Sequence, residues 1–453
     1  MITVPGAGQA MTTGRILMPY IIVLALALRT AVPLAAFALS KDVEVFRNPD
    51  TIEYMEPARS LLSSGKFTSN GVPEIERTPG YALLFIPGIL SGYIDAVTIA
   101  LQILLSCVSV FLVYKLGVLL FDDEVVAVLA AALYAVEPMA IVYASLLYSE
   151  TLYTTFFILF LYVLLSYVKT GALGEMVGAA VLLASTAYIR PVSYFLPPLV
   201  TALLFLRLIL TKSFDRRLLL HATAFFVISM GLIGLWQVRN KLEADYSGFS
   251  AITAQNLYFY IGAHVLAEIE GTTLGEQQAR MGYGNPSVYF ALHPEQREWG
   301  QSRIYQYKAR EGIKLVLQHP WTYFLFSVKG TVKTFRDSGA AMVAALLHVD
   351  PESPRGTRLI HFLRLPLFAV LLVYWGLAVV GIFSRRWING WQMVIVAVLS
   401  LYLLLIPGVS GAGYARFRHP VMPVICLMAG CGLSAVVSRL GFVSAQRASG
   451  RLP

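Results

Sequence analysis

Four stretches of this sequence set charged side chains hard against long apolar runs, where charge is costly and usually serves a purpose. The segment after the first apolar run carries Asp50, Glu53, Glu56, Glu74, Glu76 and Arg77. Glu137 and Glu150 flank a second turn, and Arg190-Pro191 joins two apolar runs with almost no loop between them. Arg416, Arg418 and His419 stand just before the last run. A carboxylate in such a place can take a proton from a hydroxyl, and a guanidinium can grip an anion. Each also has a plainer reading. Asp50 with Glu53 fits a capping box opening a helix at Tyr54, and on spacing alone the cap is the simpler choice. Glu150 suits the positive end of a helix dipole, and Arg416 and Arg418 suit an interfacial anchor beside Tyr414 and Phe417.

The elements that must position these groups are membrane helices. Apolar residues make up 57% of the chain and charged residues 13%, about half the share in a soluble domain. The apolar residues come in blocks near the roughly 20 residues that span a bilayer, so we expect an all-α, polytopic integral membrane bundle. The spans fall near 16–38, 94–120, 125–142, 150–168, 174–189, 192–210, 218–236, 360–383, 389–407 and 420–437. Two shorter apolar pieces, Trp321–Val332 and Gly339–His348, lie in the interface or add one hairpin, giving about 10–12 crossings. Ala36-Phe37-Ala38 resembles a signal-peptide cleavage site, but the run is long and contains Arg29, which favours a retained helix.

With Arg15 inside, one alternation puts Lys115, Lys169, Lys212, Arg216, Arg217, Arg385, Arg386, Arg439, Arg447 and Arg451 on the cytoplasmic side. Both termini are then cytoplasmic, and all four charged stretches face outward. The expected units are 1–236 with an active first external loop (39–93), an external region 237–358, and the spans and short tail of 359–453. The net charge of +9 sits mostly at helix ends, which argues against nucleic-acid binding. Cys107, Cys426 and Cys431 lie in apolar runs with no metal or disulfide spacing, and read as packing residues.

Several motifs in order carry a resemblance. The first loop reads Pro49-Asp50-Thr51-Ile52-Glu53-Tyr54, then Glu76-Arg77-Thr78-Pro79-Gly80-Tyr81. Tyr148-Ser149-Glu150-Thr151-Leu152, Tyr188-Ile189-Arg190-Pro191 and Arg416-Phe417-Arg418-His419-Pro420-Val421-Met422-Pro423 follow. The pattern resembles GT-C class membrane glycosyltransferases, among bacterial relatives of protein O-mannosyltransferases and the lipid A aminoarabinose transferase. The resemblance covers the N-terminal half and the C-terminal helix pair, and the region 237–358 matches nothing in it.

This resemblance implies a GT-C-like bundle with interfacial helices in the first loop, using a polyprenyl-phosphate sugar at the outer face of the plasma (inner) membrane. It implies Asp50 as general base in an inverting transfer to an extracytoplasmic acceptor, with Glu76 a catalytic-site acid that binds the acceptor or, with Asp50, a divalent metal ion, and with Glu150 a second acid. Arg77 stands where the family often has Lys and would hold the donor phosphate, with Arg190, Arg416 and Arg418 as further phosphate or pairing candidates. Glu150, Tyr81, Tyr54 and His419 are secondary candidates. Two features depart from the best-known members: no second acid adjoins Asp50, and the chain is short, without an extra soluble domain. The rival readings are a transporter or flippase of a lipid-linked anion and an O-antigen ligase or polymerase. The first would spread charge to mid-membrane, and the second lacks the Asp50 and Glu76 pattern.

Overall fold

The computed structural model describes residues 7–210, 215–350, 353–384, 390–409 and 413–448. Lys212, Arg385, Arg386 and Arg451 of the charge alternation lie outside these residues, as do the side chains of Arg15 and Arg447.

Helix α1 (Ala7–Ser40) runs unbroken through the stretch that resembled a cleavage site. A short segment outside the spans follows, holding α2 (Pro49–Ser64), a two-stranded hairpin of β1 (Thr68–Ser69) and β2 (Val72–Pro73), and α3 (Pro79–Ser91). The chain then zigzags through α4 (Ile94–Phe121), α5 (Glu124–Ala135), α6 (Pro138–Ser145), α7 (Glu150–Thr170), α8 (Leu173–Ile189), α9 (Leu196–Leu210) and α10 (Arg216–Ala244). A helical segment lying outside the spans (the outer segment) comes next: α11 (Ile252–Gln255), a π-helical turn Asn256–Gly262, α12 (Ala263–Glu270), α13 (Leu274–Arg280), α14 (Pro286–Leu292), α15 (Gln301–Gln318), α16 (Pro320–Arg336) and α17 (Ala340–Leu346). Helices α18 (Pro354–Phe383), α19 (Gly390–Val409), α20 (Ala415–Arg418) and α21 (Met422–Ala448) finish the bundle.

Eight of these helices are long and apolar enough to cross a membrane, and the bent pair α5–α6 makes a ninth. Helix α8 is apolar but shorter, at 17 residues. These nine and α8 fall on the ten stretches expected from the sequence. Among the described residues the extra hairpin is not seen, since α16 is not apolar throughout and α17 has only 7 residues. The spans also run past the expected unit boundaries, α10 to Ala244 and α18 from Pro354.

The path brings the charged turns together at one end of the bundle. At the other end, the Tyr167 hydroxyl of α7 meets His221 of α10 at 3.2 Å, and Gln392 of α19 donates to the Leu165 carbonyl at 3.0 Å. The first loop is pinned to the charged end at Gly80, where a Cβ would sit 2.7 Å from the Tyr188 carbonyl, two residues before Arg190.

Pro138 forces the break between α5 and α6, a bend of 52°, because it has no N–H to continue the ladder. Carbonyls freed inside a bilayer need partners. The fully buried Arg29 supplies them, donating to the Ala135 carbonyl at 2.7 Å, the Tyr134 carbonyl at 3.2 Å and the Ser106 hydroxyl at 2.6 Å. The Tyr374 hydroxyl covers the Leu133 carbonyl at 2.8 Å. Arg29→Leu strands the Ala135 carbonyl, since the Tyr134 carbonyl keeps the Glu137 N–H at 3.4 Å, and is expected to cost roughly 1–3 kcal/mol. A thermal melt in nanodiscs checks this, and an unchanged Tm would show that the bend does not rely on Arg29.

Candidate active site

The site starts with a helix cap, though not the one the spacing suggested. Asn48 caps α2 by accepting from the Asp50 N–H, and the Thr51 hydroxyl returns a bond from the Asn48 N–H at 3.0 Å. Asp50 is therefore the second residue of α2 with its carboxylate free for other work. Glu53, one helical turn on, lies on the same face.

Both Asp50 oxygens meet guanidinium groups. Oδ1 accepts from Arg77 Nη2 at 2.8 Å, and Oδ2 accepts from Arg416 Nη2 at 3.0 Å. Arg77 also donates to Glu53, through Nε at 2.7 Å and through Nη2. On its other side, Arg416 Nε lies 3.0 Å from Glu150 Oε1, which Arg190 Nη1 also reaches at 2.5 Å. The result is an alternating chain, Glu53–Arg77–Asp50–Arg416–Glu150–Arg190, drawn from four separate turns. Glu150 is fully buried, whereas the Asp50 and Arg416 side chains keep 23% and 24% exposure, so the cluster opens at that end. Aromatic rings wall it: Arg416 lies 4.9 Å from the Tyr148 ring, Arg77 5.2 Å from Tyr54 and Arg190 5.8 Å from Tyr153. Tyr81 backs Tyr54 edge-on at 5.0 Å and donates to Gln102 at 2.8 Å.

Burial works against an ionised Asp50, but Arg77, Arg416 and Arg190 outweigh it and hold the carboxyl below its usual range. Asp50 is thus an anion at neutral pH. The pairs leave Nη1 of Arg77 and Nη2 of Arg190 for another acceptor. Buried near Glu150, its own Oε2, the Tyr143 hydroxyl and His419 Nδ1 have no partner.

Not every expected residue joins this cluster. Arg418 turns away, donating to the Thr334 carbonyl at 2.5 Å and the Asp337 carbonyl at 2.9 Å, and so closes the end of α16. His419 is buried with its ring 4.9 Å from Tyr143. Glu76 faces the outer segment, accepting from the Tyr305 hydroxyl and from Gln255 Nε2 at 3.2 Å. Lys308 Nζ donates to Gln255 Oε1 at 2.9 Å and lies 4.9–5.1 Å from the rings of Phe259, Tyr289 and Tyr305; burial pulls its pKa down to about 8. Asp50 and Glu76 thus have separate partners. Among the described residues, no three His, Cys, Asp or Glu side chains gather in one place. The expected joint metal site does not fit this arrangement.

Three roles were not assigned from the sequence, although Glu53 and Glu74 were named among its charged residues. Glu53 could have been found from its i+3 spacing to Asp50. The grip of Tyr305 and Gln255 on Glu76 joins residues 229 and 179 positions apart and leaves no local signal. Glu74 is the third: its Oε1 accepts the N–H groups of Glu76 at 2.6 Å and Arg77 at 2.8 Å, holding the turn that presents Arg77.

Comparison with known proteins agrees with this architecture. Residues 82–236, about a third of the chain, match the family model described as dolichyl-phosphate-mannose-protein mannosyltransferase. The match includes Glu150 and Arg190 and stops short of Asp50, Arg77 and Arg416. The archaeal oligosaccharyltransferase AglB from Archaeoglobus fulgidus, in complex with an inhibitory peptide and a dolichol-phosphate, superimposes with a TM-score of 0.56 at 15% identity, over 96% of this chain and 52% of that one. The fold is GT-C-like. The Archaeoglobus fulgidus oligosaccharyltransferase in complex with Zn and sulfate gives a TM-score of 0.54 at 15% identity, over 94% and 50% of the two chains. This GT-C-like chain therefore spans about half the length of those enzymes. ArnT from Cupriavidus metallidurans, in the apo state, matches at 15% identity over 90% and 76%, with a TM-score of 0.38 that carries no argument. No curated protein matches in sequence.

Burial, reinforced by the charge of Glu76, pushes Glu74 up to about 7, against the two N–H groups that favour its anion. Because its folded pKa lies above its unfolded value, the folded state holds the extra proton, and stability falls as pH rises from about 4.3 to about 7. Glu74→Gln keeps the accepting oxygen without the charge. It is expected to raise Tm at pH 8 and to flatten the decline of Tm between pH 5 and 8; an unaltered pH profile would contradict this origin.

Proposed function

We propose that this chain is a glycosyltransferase, moving one sugar from a polyprenyl-phosphate carrier to a hydroxyl acceptor outside the plasma (inner) membrane. Both termini are cytoplasmic in this reading, and the charged end of the bundle faces outward. The observation that carries it is the Asp50 carboxylate held between Arg77 and Arg416, with Arg190 joined through Glu150. A base and a set of anion-binding groups thereby lie side by side at one end of a membrane bundle. The family description of residues 82–236 and the dolichol-phosphate bound by AglB support a lipid-phosphate donor.

The chemistry follows from the pairs. The acceptor oxygen attacks the anomeric carbon, the bond to the phosphate oxygen breaks with inversion, and the polyprenyl phosphate departs with the bonding electrons. Arg77, Arg416 and Arg190 stabilise the charge that builds on that phosphate. Asp50 takes the acceptor's proton. A carboxylate tied to two guanidiniums is a weak base. An arriving phosphate competes for both of them, which lifts the Asp50 pKa when the donor is in place. Donor binding thus arms the base. Glu150 keeps Arg190 and Arg416 side by side, and Glu76 ties the loop of Arg77 to the outer segment, where acceptor choice resides.

Purified protein in nanodiscs, given radiolabelled polyprenyl-phosphate sugars, tests the reading. Wild type is expected to release or transfer sugar, and Asp50→Asn to slow this by at least about 100-fold while melting as a folded protein. Full turnover by folded Asp50→Asn removes it as the base. Wild type that neither binds nor turns over any donor refutes glycosyl transfer.

A further inference from the structure

Helix α16 has a buried face and, opposite it, an exposed apolar one. Phe326, Gly330 and Thr334, spaced by four, are buried against the protein. Trp321, Phe324, Leu325, Val328 and Val332 form a stripe on the far side, each between 42% and 68% exposed. Ile313 and Leu317 of α15, 46% and 73% exposed, lead into it. At 100° per residue the stripe lies about 180° from the buried face, so packing within the chain does not explain it. Elsewhere in the outer segment, exposed large apolar side chains such as Ile269 and Leu292 stand apart in the chain, and α13 exposes Glu276 and Arg280 but no large apolar side chain.

Three cations, Lys329, Lys333 and Arg336, are exposed along one flank of the stripe, and α16 contains no acidic residue. Lys329 donates to Glu268 at 2.8 Å, and Lys333 Nζ lies 4.7 Å from the Tyr414 ring. The helix packs on the outer end of α19, where Gly408 abuts Thr331 so closely that a Cβ would collide. Leu405, Ile406 and Val409, at that same end, are themselves exposed. The stripe thus continues the apolar surface of a membrane span.

We infer that the outer leaflet of the bilayer covers this stripe, and that α16 lies in the membrane plane with its cations among anionic headgroups. A helix with one apolar face, a cationic flank and a Trp at its rim has the make-up of an interfacial helix. The placement also sets the height of the site. Asp337, at the end of α16, accepts from the Ala415 N–H at 2.7 Å, and Arg418 closes the same end, so α16 is fixed to the segment carrying Arg416. Arg416 is then held near the level of the lipid phosphates. On the glycosyltransferase reading, a lipid-linked donor reaches the arginines without leaving the membrane; that consequence alone depends on the reading.

Spin labels test the placement without using activity. Leu325→Cys and Val328→Cys carry the label on the stripe, Val373→Cys marks a lipid-facing span, and Glu298→Cys marks the watery outer surface. The native Cys107, Cys426 and Cys431 are buried. In nanodiscs containing phosphatidylglycerol, labels at 325 and 328 are expected to collide with oxygen more than with a chelated nickel relaxant, as at 373. Nickel collisions equal to or above those of oxygen at both sites, as at 298, overturn the proposal. Two labelling sites guard against one variant failing to fold, and each is checked by thermal melt. Because nothing is turned over, an inactive but lipid-contacting protein would leave this inference standing while refuting the transferase.

Discussion

The carboxylate of Asp50, shared between Arg77 and Arg416, is the interaction on which the rest of the charged end depends. It ties the first outer loop to the entry of the last helix, elements more than 360 residues apart in the chain. Through Arg416 it also reaches Glu150 and Arg190 on two further turns. Removing one partner from a fully buried pair leaves an uncompensated charge, at a cost of about 3–5 kcal/mol, and this partly open pair loses less. Strict alternation of sign avoids that cost, so six charges can stand at the end of an apolar bundle. A ligand anion can start from the donors these pairs leave, Nη1 of Arg77 and Nη2 of Arg190, and then share the same guanidiniums.

The buried arginines of this chain do two different jobs. Arg29 and Arg418 spend their N–H groups on carbonyls where helices stop, at the α5–α6 bend and at the end of α16. Arg77, Arg190 and Arg416 meet carboxylates at an opening. A guanidinium offers five donors in a rigid fork, which suits both tasks. Its partners decide which one it performs, and those partners come from other segments.

Two elements outside the spans hold the site in shape. Glu74 gathers the turn that presents Arg77, while Tyr305 and Gln255 grip the adjoining Glu76. Burial and the neighbouring Glu76 raise the Tyr305 pKa, so its phenol remains a donor to that carboxylate. The loop bearing one of the three arginines is therefore coupled to the outer segment, and α16 of that segment is coupled to the loop bearing another.

The sequence alone determined the class of protein and the membership of most of the charged cluster. Apolar blocks of bilayer length dictate helical spans, because in lipid each span must satisfy its own backbone. Charged residues left at the expected outward ends of those blocks include Asp50, Arg77, Glu150, Arg190 and Arg416 together with Glu56, Glu76, Glu137 and Arg418, and the resemblance, not position, gave them roles. Their pairing came from neither. The capping motif near Asp50 misleads because Asn48 and Thr51 are equally placed to close the cap, and only the folded loop shows which pair does so. Glu76 and Arg77 are neighbours in sequence, yet one faces Tyr305 and the other Asp50. Arg416 and Arg418 divide in the same way, one to carboxylates and one to carbonyls. Local pattern records what a residue can bond, whereas its partner is chosen by long-range packing, which brings residue 305 to residue 76 and residue 416 to residue 50.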